Sequence, residues 1–284
     1  MIIARSIRRI RQEISLNKKK GKLIGFVPTM GALHKGHLSL IKAARKECGY
    51  VVVSIFVNPL QFGPKEDFNA YPRIFSKDEK LLKTEGVDLV FYPSMSLMYT
   101  DNFSVYVEEV LLSRYLCGKS RPGHFKGVCT VVAKLFNIIQ PDIAYFGQKD
   151  YQQAQVIKKM VKDLNFPLKI KIMPIVREKD GLAMSSRNSY LNPRERKEAL
   201  CLYNSLELAS EMIRNGARSS NIIIKNMKRL IQNEAPRARI DYINIVNPLT
   251  LKDVKKIKGK VLIALAVYIG KTRLIDNMLL RWQQ

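Results

Sequence analysis

Only three histidines occur in this chain of 284 residues, and two of them, His34 and His37, stand three apart in the run Gly25-Phe26-Val27-Pro28-Thr29-Met30-Gly31-Ala32-Leu33-His34-Lys35-Gly36-His37. Imidazole N–H groups donate to anions, so a close pair in one turn suits the neutralisation of phosphate charge. The apolar stretch Leu23 to Val27 reads as a buried strand, and Gly36 to Ala44 reads as the first turns of an amphipathic helix. The pair therefore falls at a helix N-terminus, where unpaired backbone amides and the positive dipole end favour a phosphate ligand.

Four further polar runs accompany the histidine turn. Ser54 to Gly63 puts the neutral amides of Asn58 and Gln61 at a strand end, where they can bind hydroxyl and carboxylate oxygens without adding charge; Asn58-Pro59 reads equally as a structural turn. Tyr145 to Gln153 places Lys149 and Asp150 at a strand-to-helix junction. A cation there opposes the helix dipole and asks for another compensation, such as a phosphate, while Asp150 also reads as a plain N-cap. Arg177 to Asn188 combines a glycine hinge, two hydroxyls and a guanidinium, fit either to close over a triphosphate or to link two domains. Arg121 to Val128 sets basic groups and His124 before another helix, with ligand contact and a structural role both open.

The elements that must carry these runs alternate. Strands at Tyr50 to Val57, Asp88 to Tyr92, Ile143 to Phe146 and Lys169 to Pro174 are interleaved with helices starting at Gly36, Ser76, Gly127 and Asp150, after a first helix that ends near Asn17. That order predicts an α/β fold with a doubly wound, Rossmann-like parallel sheet, and every polar run lies just after a strand, where such sheets bind ligands. Beyond Val176 two helices, Glu195 to Asn215 and Asn221 to Asn233, precede short strands at Ile240 to Val246, Val261 to Val267 and Arg273 to Asn277. The expected division is a domain over 1–176 and a smaller α+β domain over 177–284 that carries the loop 177–188.

Composition sets the outer bounds. A hydrophobic fraction of 46% supports a real core, and no apolar run approaches the roughly 18 residues of a membrane span. With no apolar secretory block at the N-terminus, a cytoplasmic protein is expected. Cys48, Cys117, Cys129 and Cys201 are far apart and form no CxxC pair, which points to buried free thiols rather than a metal site. Lys and Arg outnumber Asp and Glu by 49 to 24, a net charge of +25 that would attract polyanions. The charge is diffuse, however, and lacks interleaved aromatics, so it reads as solvated faces rather than a nucleic-acid surface. No GxxxxGK[ST] run, no GxGxxG after a strand and no nucleophile elbow occurs, which argues against a P-loop protein, a dinucleotide cofactor and a Ser-His-Asp hydrolase.

Taken together, the motifs resemble a known family. His34-Lys35-Gly36-His37 is similar to the HxGH signature of the nucleotidyltransferases, and Met184-Ser185-Ser186-Arg187 to their KMSKS-type loop. The closer resemblance is to the pantothenate synthetases, or pantoate–β-alanine ligases. Their runs stand here in order as PTMGALHKGH, SIFVNPLQFG, YPR, RPGHFKGV, FGQKDYQQ, REKDGLAMSSRN and TRLIDN. The resemblance implies a homodimer that catalyses a two-step ligation. The pantoate carboxylate attacks the α-phosphorus of ATP and releases pyrophosphate, and the amine of β-alanine then displaces AMP from pantoyl adenylate. It also implies roles. Met30, His34, His37, Gly147, Lys149, Asp150, Val176, Met184, Ser185, Ser186 and Arg187 would bind ATP, with Asp150 at the ribose. His34, His37, Lys149, Ser185 and Arg187 would serve the chemistry, while Gln61 and Gln153 hold pantoate with Asn58 nearby for the amine step. ATP would come with Mg²⁺ at Asp78, although Lys77 stands where members often carry a second acidic residue. Two rival readings are an RNA-binding relative of the tRNA synthetases and an enzyme that adenylylates a phosphate acceptor. The neutral Gln61 and Gln153 argue against the second.

Overall fold

Two compact units emerge from the computed structural model, which describes residues 1–64 and 66–281. The first comprises Met1–Leu111, Arg121–Gln148 and Gln153–Pro174; the second comprises Leu112–Ser120, Lys149–Gln152 and the chain from Ile175 onward. In chain order the elements begin with β1 (Ile2–Ala4), α1 (Ile7–Lys19), β2 (Ile24–Thr29), α2 (Lys35–Glu47), β3 (Tyr50–Ile55), α3 (Phe75–Thr84) and β4 (Leu89–Phe91). They continue through α4 (Met95–Met98), α5 (Leu116–Ser120), α6 (His124–Ile139), β5 (Ile143–Gly147), α7 (Tyr151–Asp163) and β6 (Lys169–Met173). The last stretch holds α8 (Pro193–Glu198), α9 (Leu200–Arg214), α10 (Ser220–Glu234), β7 (Arg239–Val246), β8 (Lys260–Ile269) and β9 (Thr272–Arg281).

The first unit is built on a six-stranded parallel sheet of order β1-β4-β3-β2-β5-β6. Strands β2 and β3 lie at its centre and are buried almost throughout, as continuous apolar runs in a parallel sheet should be. From β2 the chain steps outward through β3 and β4, then returns to the other side of β2 as β5. The order thus reverses between β2 and β5, and the crevice beyond the carboxyl ends at such a switch point is where doubly wound sheets bind ligands. The His34 turn leaves β2 there, the Asn58 turn leaves β3, and Gly147 ends β5.

In the second unit an antiparallel sheet of order β7-β8-β9 is buried on both sides. Alternate residues of β8 show how: Val261, Ile263, Leu265 and Val267 join a core with α9 and α10, whereas Leu262 and Ala264 join a cluster with Leu116 and Tyr151. Helices α9 and α10 present Leu202, Leu206, Ala209, Ile213, Ile223, Met227 and Ile231 to that first core.

The doubly wound parallel sheet and the smaller α+β part are as expected. Two details differ. The N-terminal segment does not begin as helix, because Ile2–Ala4 pairs with Leu89–Phe91 as an edge strand and α1 starts only at Ile7, capped by the Ser6 side chain. The helix expected over Glu195 to Asn215 is interrupted at Ala199, which ends α8 and opens α9.

Candidate active site

In the first unit the histidine turn is built on a strained backbone. Gly31 has φ +81° and Ala32 φ +49°. A β-carbon in the left-handed region costs on the order of 1 kcal/mol, so the turn needs outside support. It comes from Asp78 in the first turn of α3, whose Oδ2 accepts from the Ala32 amide at 2.9 Å and whose Oδ1 accepts from the Leu33 amide at 2.8 Å. Thr29 Oγ1 accepts from the Gly31 amide at 3.2 Å. Burial pushes the Asp78 carboxyl above its ordinary value, against the two amides that favour the charged form.

From this base His34 caps α2. Its Nδ1 accepts from the Gly36 amide at 3.1 Å, while His37 Nδ1 accepts from the His34 amide at 3.4 Å, so the two imidazoles form a reciprocal capping box. A ring nitrogen that accepts carries no proton, so each neutral ring carries its proton on Nε2. The rings lie 4.1 Å apart between centroids. The cap thus fixes the tautomer, with the proton of each neutral ring on Nε2.

Asp78 does not fit Mg²⁺ as a direct ligand. Both its oxygens are engaged by backbone amides, its side chain is buried, and an ideal β-carbon on Gly31 would lie 3.0 Å from Oδ2. Among the described residues no group of three or more His, Cys, Asp or Glu side chains is arranged to hold a metal. Lys77 adds a cation beside it. The carboxylate expected at a metal instead holds the turn that carries the histidines.

Gln61 ends the turn after β3. Its Oε1 accepts from Asn58 Nδ2 at 3.1 Å, and its Nε2 meets the Met30 Sδ at 3.0 Å. A thioether is a weak acceptor, so the Gln61 amide keeps donor capacity for a stronger partner. Asn58 is committed to the fold: Nδ2 also donates to the Gly127 carbonyl at 3.1 Å, and Oδ1 accepts from Tyr99 at 2.7 Å and from the Leu60 amide at 3.3 Å. It therefore orients Gln61 rather than offering its own amide. Gln153, in the first turn of α7, is half-buried.

The close approach of α6 to this turn depends on Gly127. A β-carbon there would sit 2.1 Å from the Leu60 carbonyl oxygen and 2.6 Å from the Gln61 amide nitrogen, and backbone cannot swing aside. Gly127→Ala should displace the Pro59–Gln61 turn, at a cost of about 1–3 kcal/mol. The expected result is a lowered melting temperature, read by thermal unfolding.

Arg121 and His124 support Gln61 from outside. Arg121 donates through Nε to Glu66 Oε1 and through Nη2 to Glu66 Oε2, both at 2.6 Å, and Nη2 also reaches the Gln61 carbonyl at 3.2 Å. His124 Nδ1 lies 2.8 Å from the same carbonyl, and Nε2 lies 3.0 Å from Arg121 Nη1. The run of basic groups is thus a brace for the Gln61 turn. Burial pushes the Glu66 carboxyl up, but the hydrogen bonds and charge of Arg121, with the Gly63 amide and His124, outweigh it and hold it at about 2. A carboxyl lowered in the folded state stabilises above its ordinary value of 4.5 and loses that contribution as pH falls toward 2. Glu66→Gln should therefore flatten the fall in melting temperature over that acid range, which a pH series of thermal scans would measure.

In the second unit, Lys149 and Asp150 occupy a 3₁₀ turn before α7, with Lys149 half-buried and Asp150 exposed. The run 177–188 is a braced hairpin: Arg177 and Ala183 form a bridge, Met184 N donates to the Val176 carbonyl at 3.0 Å, and Glu178 N donates to the Leu182 carbonyl at 2.8 Å. Arg177 binds Asp276 through both amino groups, at 2.6 and 3.0 Å, and its guanidinium lies over the Tyr203 ring. Removing one partner of so buried a pair typically costs about 3–5 kcal/mol. Arg196 ties Glu178 and Asp180 to α8. Beyond the hairpin, Ser185 Oγ accepts from the Arg187 amide at 3.2 Å and caps a 3₁₀ turn over Ser186–Tyr190. Asp276, Arg196 and Glu66 were not among the expected site residues, and Arg121, in a run left open between ligand contact and structure, serves as a brace.

Comparison with known proteins decides between the readings. The family profile of pantoate-beta-alanine ligase matches residues 2–279. The chain belongs to the pantoate–β-alanine ligase family. It is 60% identical to a pantothenate synthetase of Fervidobacterium nodosum over 261 residues, 92% of each chain. It is 56% identical to that of Thermosipho melanesiensis over 279 residues, covering 98% of this chain and 99% of the other. The crystal structure of pantothenate synthetase from Thermus thermophilus superposes with a TM-score of 0.91 at 43% identity, covering 98% of this chain and 99% of that one. A pantoate-beta-alanine ligase from Francisella tularensis, solved in complex with beta-gamma ATP and beta-alanine, superposes with a TM-score of 0.80 at 39% identity over 98% and 97% of the two chains. As a pantoate–β-alanine ligase, the chain matches its relatives over nearly their full length.

Proposed function

We infer that this chain condenses pantoate with β-alanine at the expense of ATP, giving pantothenate, AMP and pyrophosphate. The family match across residues 2–279 carries that reading. A carboxylate oxygen of pantoate attacks the α-phosphorus, the bond to the bridging oxygen of pyrophosphate breaks, and the acyl adenylate forms. The β-alanine amine then attacks the acyl carbon, loses a proton, and expels AMP.

Neither step needs a covalent bond to the protein. What the chemistry needs is in-line placement and donors aimed at charge that grows on the phosphates. The Nε2–H groups of His34 and His37 are such donors, preset by the cap. Gln61 and Gln153 hold pantoate by neutral amides, which leaves its carboxylate nucleophilic, and Met30 lines their side of the pocket. Gly147 lets the chain pass close to the nucleotide. In the second unit Lys149, Ser185, Ser186 and Arg187 serve the phosphates, Asp150 the ribose, and Val176 and Met184 the rest of the nucleotide. Mg²⁺ enters as the counterion of ATP. On this reading residues 1–176 carry nucleotide and pantoate recognition, and 177–284 carry the signature loop. We further propose a homodimer working in the cytoplasm. No helix among the described residues is long and apolar enough to cross a membrane.

The test is direct. Purified protein with ATP, Mg²⁺ and pantoate should release pyrophosphate, and continuous AMP formation should need β-alanine as well. Pyrophosphate release indifferent to pantoate would overturn the assignment.

A further inference from the structure

Strand β9 breaks the alternation of its own sheet. Asp276 and Asn277 are adjacent, both polar, and both only 3% exposed in a sheet whose partner strand is apolar. In register, Asp276 stands opposite Leu265 and Asn277 opposite Ala264, so the two side chains leave opposite faces. On one face Asp276 takes the Arg177 guanidinium in a two-pronged grip beside Tyr203, and Arg177 Nη1 also donates to the Gly181 carbonyl at 3.0 Å. On the other face Asn277 Nδ2 donates to the Lys149 carbonyl at 2.9 Å. The Asn277 amide itself donates to Asp276 Oδ1 at 2.7 Å, which locks the two grips together. Buried polar groups of this kind are retained only with partners, and here the partners are two separate chain segments.

We propose that Asp276 and Asn277 are positioning residues for the ligation: a single peptide unit of β9 sets the hairpin leading to Ser185, Ser186 and Arg187 on one face and the Lys149 turn on the other. The inference rests on the assignment of Lys149 and that loop to the phosphates of ATP. It adds that their mutual spacing is fixed from behind, by residues whose polar atoms are engaged with Arg177 and the Lys149 carbonyl. A misplacement of about 1 Å at a group that stabilises a transition state can cost on the order of 100-fold.

The experiment is a double-mutant cycle on the full chain, with Asn277→Ala, Lys149→Ala and the combination, each assayed for kcat and for KM of all three substrates. Asn277→Ala removes one side-chain grip and leaves the Asp276–Arg177 pair in place. It should lower kcat about 10- to 100-fold with KM for pantoate and β-alanine nearly unchanged. In the Lys149→Ala background the same change should cost less than about twofold, because its route to the phosphates is already gone. Asp276→Asn, which keeps one acceptor for Arg177, should likewise reduce kcat while sparing both acid KM values. Three outcomes overturn the proposal. If Lys149→Ala is severe and Asn277→Ala is silent, the grip does no positioning. If the two losses multiply, Asn277 does not act through Lys149. If Lys149→Ala is itself silent, the assignment of Lys149 fails and the inference falls with it.

Discussion

Asparagine in place of His34 is expected to leave the fold intact and to lower kcat about 10²- to 10³-fold. The two consequences separate because His34 does two jobs with two nitrogens. Nδ1 accepts from the Gly36 amide and caps α2, a task that asparagine performs as well as any residue. On the proposed assignment Nε2–H is the donor for phosphate charge, and the shorter asparagine amide, committed to the cap, cannot replace it. Alanine should show both losses, with about 1 kcal/mol of cap stabilisation gone as well. Unfolding curves for the Asn and Ala variants beside their kcat values would make the comparison. An Asn variant that retained wild-type kcat would remove His34 from the chemistry and leave it as a cap.

Asp78→Asn should be the next most damaging change, and its dependence on Mg²⁺ is the informative part. Asparagine keeps one acceptor for the Ala32 and Leu33 amides but turns an NH₂ toward the other, so a turn with two successive left-handed residues loses half its tether. We expect kcat to fall about 100-fold through displacement of the imidazoles. The Mg²⁺ concentration at half-maximal rate should stay where it is, whereas loss of a metal-supporting group ordinarily shifts it about 10- to 100-fold. Imidazole resonances of His34 and His37 in nucleotide-free protein should move as well. A large rise in the Mg²⁺ requirement, with normal kcat once the metal saturates, would make Asp78 a metal ligand after all.

Much of this was legible in the sequence, and the reason differs from element to element. The central strands announce themselves because a parallel strand covered on both faces must be a continuous apolar run, as Tyr50–Ile55 is. The histidine turn is legible because strand, glycine and helix lie within one short window. Strand β1 is three residues long and has no period to read. The lapse at Ala199 is invisible locally because alanine is the best helix former. The supports of the site are the least legible part. Asp78 acts on amides 45 and 46 residues away, Glu66 on a guanidinium 55 residues away, and Asp276 on one 99 residues away. Spacing motifs carry the groups that face a ligand, whereas the groups that hold them in place are set by topology. Adjacent polar residues in an apolar strand, as in Leu274-Ile275-Asp276-Asn277, are the one signal of that kind the sequence offers.

If residues 185–187 serve ATP as proposed, the bracing of residues 177–188 bears on the thermodynamics of nucleotide capture. Ordering a free loop costs about 1–2 kcal/mol per residue in backbone entropy alone, and a loop that ordered only around its ligand would take that cost out of affinity. Here Arg177, Asn188 and Arg196 anchor the segment to β9, to its own base and to α8 by bonds within the chain itself. The entropy is therefore spent when the chain folds. On the proposed assignment of this segment to ATP, contact with the triphosphate can then go into favouring the transition state over the bound substrate, which is the part of binding that raises turnover.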